Sequence, residues 1–212
     1  MTTQPVTAGM TEQALVTGLI LAGGEGRRMG GQDKGWIALA SQPLVSHVLA
    51  RLRPQVSQLQ ISANRHLEEY RTLGFPVITD DAQWQGMGPM AALATVAPML
   101  ADTNGYLQLV PCDAPLLPDH LVRDLLAALQ KNPALEIAYP QCGDRPQPAM
   151  LLAKCSALAS AAAYLASGQR SLRGWIANRA SQAVPFDDVA AFANANDPAA
   201  LLQLEHRLSH DA

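Results

Sequence analysis

Apolar and polar positions along the chain fall into two alternating patterns. Short apolar runs at 17–22, 58–62, 77–79, 106–110, 137–139 and 148–152 carry the strand signature. Longer stretches with apolar residues every three or four positions predict helices at 43–52, 66–73, 89–100, 118–130, 156–166, 171–178 and 198–208. Pro43, Pro89, Pro118 and Pro198 open four of these segments. A first helical turn tolerates proline because the N–H it lacks would have no intrahelical partner there. In the third helix Met90, Leu93, Val96 and Leu100 recur at helical spacing and form a core-facing stripe. Strands alternating with helices predict an α/β fold: a single-domain, mostly parallel sheet flanked by helices on both faces. Ligands of such sheets bind at the carboxyl ends of the strands, so the residues following each strand are the candidates for chemistry.

Composition narrows the picture further. The 212 residues are 49% hydrophobic and 16% charged, which suits one domain with a sizeable core. That domain is expected over 15–208, between a polar N-terminal tail of residues 1–14 and a short C-terminal tail of 209–212. The first segment has neither the basic nor the apolar region of a secretion signal and reads as disordered. No apolar run is long enough to span a bilayer. A formal net charge of −3 argues against a general nucleic-acid binder. Cys112, Cys142 and Cys155 form no CxxC pair, which suits a reducing cytosol better than a disulfide framework. The five histidines show no metal-ligand spacing.

Positive charge gathers in one loop. The first strand ends in Leu21 and Ala22, and Gly23, Gly24, Gly26, Arg27, Arg28, Gly30 and Gly31 follow, then Asp33-Lys34-Gly35. Glycines let successive backbone N–H groups approach phosphate oxygens. Arginine adds a bidentate fork and lysine a point charge. A Walker A loop is excluded, because Lys34 is flanked by Asp33 and Gly35 rather than by Gly and Ser/Thr. A dinucleotide-binding fingerprint is excluded because Met29 stands where its third glycine belongs. The fourth strand ends in a second motif, Pro111-Cys112-Asp113-Ala114-Pro115. A lone aspartate at a strand end is usually a turn residue or helix cap, but Mg²⁺ takes one or two carboxylates plus substrate phosphates, so Asp113 is also a candidate metal ligand. Cys112 reads as a small buried residue.

The glycine loop resembles the signature of the molybdenum cofactor guanylyltransferases, part of a wider group of cofactor and sugar-1-phosphate nucleotidyltransferases. LAGG at 21–24, Gly-Arg-Arg-Met-Gly-Gly at 26–31 and Asp-Lys-Gly at 33–35 carry the resemblance, which extends from about 17 to about 208. It implies a Rossmann-like, GT-A-like nucleotidyltransferase fold, with GTP and molybdenum-molybdopterin as substrates and Mg²⁺ as cofactor. It also implies a cytoplasmic enzyme in transient contact with cofactor-biosynthesis proteins and with recipient molybdoenzymes or their chaperones. Gly23, Gly24, Arg28 and Lys34 would meet the triphosphate and Asp113 the metal, with Arg28, Lys34 and Asp113 as the catalytic set. Backbone groups of Leu21, Ala22 and Gly23 would meet the nucleoside together with Asp80, whose carboxylate can accept from guanine N1–H and N2–H₂ or from ribose hydroxyls, the plainer reading being a solvated turn. The family often has asparagine, a guanine contact, where this chain has Ser62.

Other positions keep two readings each. Asn64 can cap the following helix or touch ligand. Asp81 reads as a solvated turn residue. Gly86-Met87-Gly88-Pro89 can simply turn the chain or bring a helix N-terminus to the nucleotide. Arg170 and Arg173 are either solvated helix-end charges or contacts to the acidic second substrate. Asn194-Ala195-Asn196-Asp197-Pro198 resembles the family's N-x-N-T-P segment. Its two asparagines share a side if extended, Asn196 is a candidate metal or substrate contact, and Asp197 is a good helix cap.

Together these parts suit nucleotidyl transfer, which depends on positioning and charge neutralisation more than on covalent help. No Ser-His-Asp or Cys-His arrangement supports acyl transfer. Three alternatives stand beside the guanylyltransferase reading. A cytidylyltransferase for the same cofactor typically has LAAG, whereas Gly24 leaves room for a purine. A sugar-phosphate nucleotidyltransferase would need a longer chain. A catalytically silent GTP-binding module would not need both Lys34 and Asp113.

Overall fold

A computed structural model describes residues 15–22, 25–26 and 32–210. Gly23, Gly24 and Arg28 lie outside the described residues, as does the 1–14 segment. Among the described residues there are twelve strands: β1 (Val16–Leu21), β2 (Glu25–Gly26), β3 (Gln32–Asp33), β4 (Ala38–Leu39), β5 (Gln42–Pro43), β6 (Gln58–Ser62), β7 (Val77–Ile78), β8 (Tyr106–Pro111), β9 (Ile137–Cys142), β10 (Arg145–Pro146), β11 (Leu152–Lys154) and β12 (Ser181–Pro185). The helices are α1 (Leu44–Leu52), α2 (Leu67–Arg71), α3 (Pro89–Leu100), α4 (Leu121–Lys131), α5 (Cys155–Leu158), α6 (Ser160–Ala166), α7 (Leu172–Ala177) and α8 (Pro198–His210).

Eight strands form one sheet in the order β10-β9-β11-β8-β1-β6-β7, with β12 also paired to β9. The β8-β1-β6-β7 block is parallel, as is the β12–β9 pair, while β10 and β11 run antiparallel to their neighbours. β1 and β8 send apolar side chains to both faces of the sheet. In β1, Val16 and Ile20 enter one core with α1 and α4, and Leu19 enters the other with α3, α6 and α7. In β8, Val110 faces the first core and Leu107 and Leu109 the second. A third, smaller cluster of Ile37, Leu39, Leu44, Leu116, Ala195 and Leu204 seats α8 against the β4–β5 hairpin.

The predicted mostly parallel sheet with helices on both faces is the fold observed. Several local boundaries differ for physical reasons. Pro43 lies in β5 and caps α1 rather than joining it, and α4 begins three residues after Pro118. The run expected as a strand at 148–152 opens as a 3₁₀ turn, Pro148–Met150, because proline at the first position sets a helical φ and offers no ladder donor. The strand forms one step later as β11. The helix expected at 156–166 divides into α5 and α6. There Ser160 Oγ donates to Ala157 O at 2.8 Å and accepts from Trp175 Nε1 at 2.9 Å. β12 was not anticipated, and α8 extends to His210.

Strand order explains where a ligand can sit. From β1 the chain moves one way to β6 and β7, and then returns to the other side of β1 as β8. Connections therefore leave β1 and β8 in opposite directions, and a crevice opens between them at the carboxyl edge.

Candidate functional site

Register aligns the carboxyl ends of four strands. Leu21 of β1 pairs with Ser62 of β6 and with Pro111 of β8, and Ser62 pairs with Ile78 of β7. The residues that follow therefore form a row: Cys112-Asp113, then Ala22, then Asn64, then Asp80. Three strand spacings separate β8 from β7, or roughly 14 Å. A cavity of about 850 Å³ lies along this row. Its walls include Leu21, Ala22, Lys34, Ser62, Asn64, Asp80, Cys112 and Asp113, with Gly86, Gly88 and Pro89 across from them and Ala149 from the Pro148–Met150 turn.

At the β8 end Lys34 is held by two oxygens. Its Nζ donates to Asp113 Oδ2 at 2.9 Å and to Asn196 Oδ1 at 2.8 Å. The main chain reinforces the cluster, as Ala195 N donates to Asp113 O at 2.8 Å. Asn194 and Asn196 do not share a side. Asn196 N donates to Asn194 O at 2.9 Å, which closes a three-residue turn and separates the side chains. Asn196 reaches Lys34, while Asn194 Oδ1 is buried without a hydrogen-bond partner. Asp197 caps α8 as its sequence suggests, accepting from Ala200 N at 2.9 Å.

Lys34 is itself held in place from behind. Asp33 is buried, and its Oδ1 accepts from Tyr70 Oη at 2.7 Å and from Gly35 N at 3.1 Å. The second bond caps the 3₁₀ turn Lys34–Trp36. Gly35 has no room for a side chain, since a Cβ would run into the Tyr70 hydroxyl. Sequence reading placed the Asp-Lys-Gly motif at the site but gave no role to Asp33 and missed Tyr70. An aspartate two residues before a glycine at the head of a short turn was the available signal. The tyrosine, 37 residues away, gave none.

At the β7 end Asn64 and Asp80 bind each other. Asp80 N donates to Asn64 Oδ1 at 2.9 Å, and Asn64 Nδ2 donates to Asp80 Oδ2 at 2.7 Å. The expected helix cap is not made, because α2 begins after His66 with no side-chain cap. Burial pushes the Asp80 carboxyl above its ordinary value, partly opposed by the Asn64 hydrogen bond. Asp81 is more than a solvated charge: its side chain accepts from Gln83 N at 3.1 Å and caps the turn Ala82–Trp84. Gly86 and Gly88 both have positive φ, and Gly88 precedes α3 with Pro89 as its first residue.

The backbone expected to meet the nucleoside is partly engaged within the sheet. Ala22 N donates to Ser62 O at 2.7 Å, and Leu21 O accepts from Cys112 N at 2.9 Å. The remaining turn donors lie beyond Ala22, outside the described residues. Ser62 is buried at the cavity wall. Cys112 is buried too, and burial, then the charges of Asp113 and Asp33, pushes its thiol far up, so it stays protonated and is no nucleophile. Arg170 and Arg173 are exposed and do not line the cavity. Among the described residues no group of three or more His, Cys, Asp or Glu could hold a metal. No helix among them is long and apolar enough to cross a membrane.

A cation clamped by hard oxygens at one end, and a carboxylate braced by an amide at the other, suit a phosphate chain and a base rather than an acyl group. Comparison with known proteins gives the same class. Residues 18–184 match the MobA-like NTP transferase domain, so the chain is a nucleotidyltransferase. Relatives narrow this. A protein of Shewanella loihica named molybdenum cofactor guanylyltransferase is 40% identical over 196 residues, covering 92% of this chain and 98% of the relative. One of the same name from Cupriavidus metallidurans is 42% identical over 186 residues, covering 85% and 90%. The chain belongs to the molybdenum cofactor guanylyltransferase family. Solved structures share the fold. Molybdopterin-guanine dinucleotide biosynthesis protein A from Archaeoglobus fulgidus superposes with a TM-score of 0.74 at 21% identity, covering 92% of this chain and 99% of that one. A CMP:2-keto-3-deoxy-manno-octonic acid synthetase complexed with CTP gives 0.70 at 12%, covering 94% and 100%.

Proposed function

We propose that this chain transfers GMP from GTP to molybdenum-molybdopterin, releasing pyrophosphate and forming the molybdopterin guanine dinucleotide cofactor. The observation that carries the reading is the common register of β8, β1, β6 and β7, which sets Lys34 and Asp113 at one end of a single cavity and Asp80 at the other. A row of roughly 14 Å suits a nucleoside triphosphate lying across the strand ends.

In this reading the base sits by Asp80 and Asn64 and the triphosphate by Lys34. Lys34, together with Arg28, Gly23 and Gly24 of the loop, neutralises the phosphates. A terminal phosphate of the pterin attacks the α-phosphorus of GTP, a new P–O bond forms, and the bond to the bridging β-oxygen breaks. The attacking phosphate is already anionic near neutral pH, so no general base is required. Asp113 and Asn196 suit Mg²⁺, because they offer a carboxylate and an amide oxygen that already converge on one cation, the Lys34 ammonium. When bound, Mg²⁺ supplies charge neutralisation and alignment of phosphate oxygens. Lys34 would then exchange its carboxylate partner for phosphate. Cofactor-biosynthesis proteins and recipient molybdoenzymes or their chaperones are the expected partners.

Pyrophosphate release from GTP, CTP and ATP in the presence of molybdenum-molybdopterin tests this reading. GTP should be strongly preferred. Equal use of CTP would overturn the guanylyl assignment in favour of cytidylyl transfer, and no turnover with any nucleotide would favour a silent binding module.

A further inference from the structure

The hydrogen bonds between Asn64 and Asp80 define an orientation as well as a contact. A backbone N–H can only donate, so the Asn64 amide oxygen must be the atom that faces Asp80 N. That leaves the amide nitrogen facing the carboxylate, and the flip of the asparagine and the rotamer of the aspartate become one choice. The two oxygens of Asp80 are thereby made unequal. Oδ2 is taken by Asn64, whereas Oδ1 is buried with no hydrogen-bond partner. Asp80, Asn64 and Ser62 all line the cavity at its β6–β7 end. A buried acceptor without a partner calls for a donor, and a ligand in this cavity is one source of it.

We infer that Asn64 is a positioning residue for base selection, clamping Asp80 so that its second oxygen is reserved for the 2-amino group of guanine. The inference rests on the guanylyl reading of the cavity. Hypoxanthine lacks that amino group and would leave the oxygen as it is in the nucleotide-free protein. The burden on Asp80 is larger here because Ser62 presents only a short hydroxyl beside it. Asn64 itself cannot be replaced by a pure donor or a pure acceptor, since it must give a hydrogen to a carboxylate and take one from a backbone N–H.

Equilibrium binding of GTP and ITP to the full chain tests this without the pterin substrate. The parent should favour GTP. Asn64→Ala should narrow the GTP-to-ITP preference about tenfold, the effect of one well-made hydrogen bond, with the loss falling mainly on GTP. Asn64→Asp provides a second variant of the same volume: it keeps the acceptor for Asp80 N and removes the donor, and it should narrow the preference as well. Thermal melting without nucleotide identifies variants that are folded. A folded variant that keeps the parental GTP-to-ITP ratio within about twofold would reduce Asn64 to a brace for its loop and overturn the inference. A parent that rejects CTP yet binds GTP and ITP equally would also overturn it while leaving guanylyl transfer standing. A parent that binds CTP as well as GTP would instead remove the guanylyl reading on which it rests.

Discussion

Lys34 pairs with Asp113 across 79 residues of sequence, with Nζ 2.9 Å from Oδ2 and the two side chains 23% and 9% exposed. Among the described residues neither finds a comparable partner on its own element. The lysine stands on a turn leaving the glycine loop and the aspartate on the loop leaving β8. A pair this sheltered is stronger than a surface ion pair, and removing one member leaves the other uncompensated.

Asp113→Asn should therefore nearly abolish turnover while preserving the fold. The amide keeps the volume and an oxygen for Lys34 but loses the charge that a divalent ion requires. The expected loss is several kcal/mol of transition-state stabilisation. Pyrophosphate release measures it, and near-parental turnover in a protein with an unchanged melting temperature would remove Asp113 from the metal role.

Lys34→Ala should lower kcat by roughly a hundredfold to a thousandfold, the effect of losing one preorganised donor to developing charge, or about 2.7–4 kcal/mol. Combining it with Asp113→Asn should give much less than the product of the separate losses, because both act on the same phosphate oxygens. Fully multiplicative effects would mean that the two residues act independently.

Tyr70→Phe should act at a distance. Among the described residues it leaves the buried Asp33 with only the Gly35 N–H, at a cost of about 1–3 kcal/mol in stability. Asp33 caps the turn that carries Lys34, so kcat should fall with it while the preference for GTP is kept. Urea denaturation and steady-state kinetics check the two parts separately. A variant as stable and as active as the parent would show that the hydroxyl contributes nothing to the site.

Asp80→Asn should separate stability from recognition. Burial raises the folded-state carboxyl above its value in the unfolded chain, so the folded protein holds this proton more tightly. Asp80 then disfavours folding once the pH exceeds its raised value, and this penalty fades as the pH falls through that value towards the ordinary carboxylate range. Asp80→Asn should accordingly be more stable than the parent at neutral pH, with the gap closing in acid, and bind GTP more weakly. Denaturation at about pH 4, in the ordinary carboxylate range, and at about pH 8, with and without GTP, gives the comparison. A variant less stable than the parent at both pH values would show that the carboxylate is favourable in the folded state.

β1, β7 and β8 were legible because apolar runs end abruptly in glycine, aspartate or proline, and β6 because Leu59 and Ile61 alternate with polar residues. The third helix is found at its predicted 89–100 because Gly88 and Pro89 mark its start unambiguously. β12 was not legible. Ser181-Gln182-Ala183-Val184-Pro185 has one branched apolar residue, and pairing with β9 alone makes it a strand. In the site, Lys34, Asp80 and Asp113 could be read from charge at strand ends. Asn64 could be read only as a cap or a ligand contact, and Asp33 only as a turn residue; their bonds to Asp80 and Tyr70 could not be read, because those partners lie 16 and 37 residues away.

The bonds from Ala195 N to Asp113 O and from Lys34 Nζ to Asn196 Oδ1 have a consequence for synthesis. A chain made from its N-terminus has β1, β6, β7 and β8 well before residue 196 is added. The nascent protein can thus hold a partly built cavity in which Lys34 and Asp113 lack their third partner. At about 5–20 residues per second this interval is on the order of several seconds. Residue 196 is added well after β8, so the Lys34–Asp113–Asn196 cluster closes after, rather than with, the formation of the central strands.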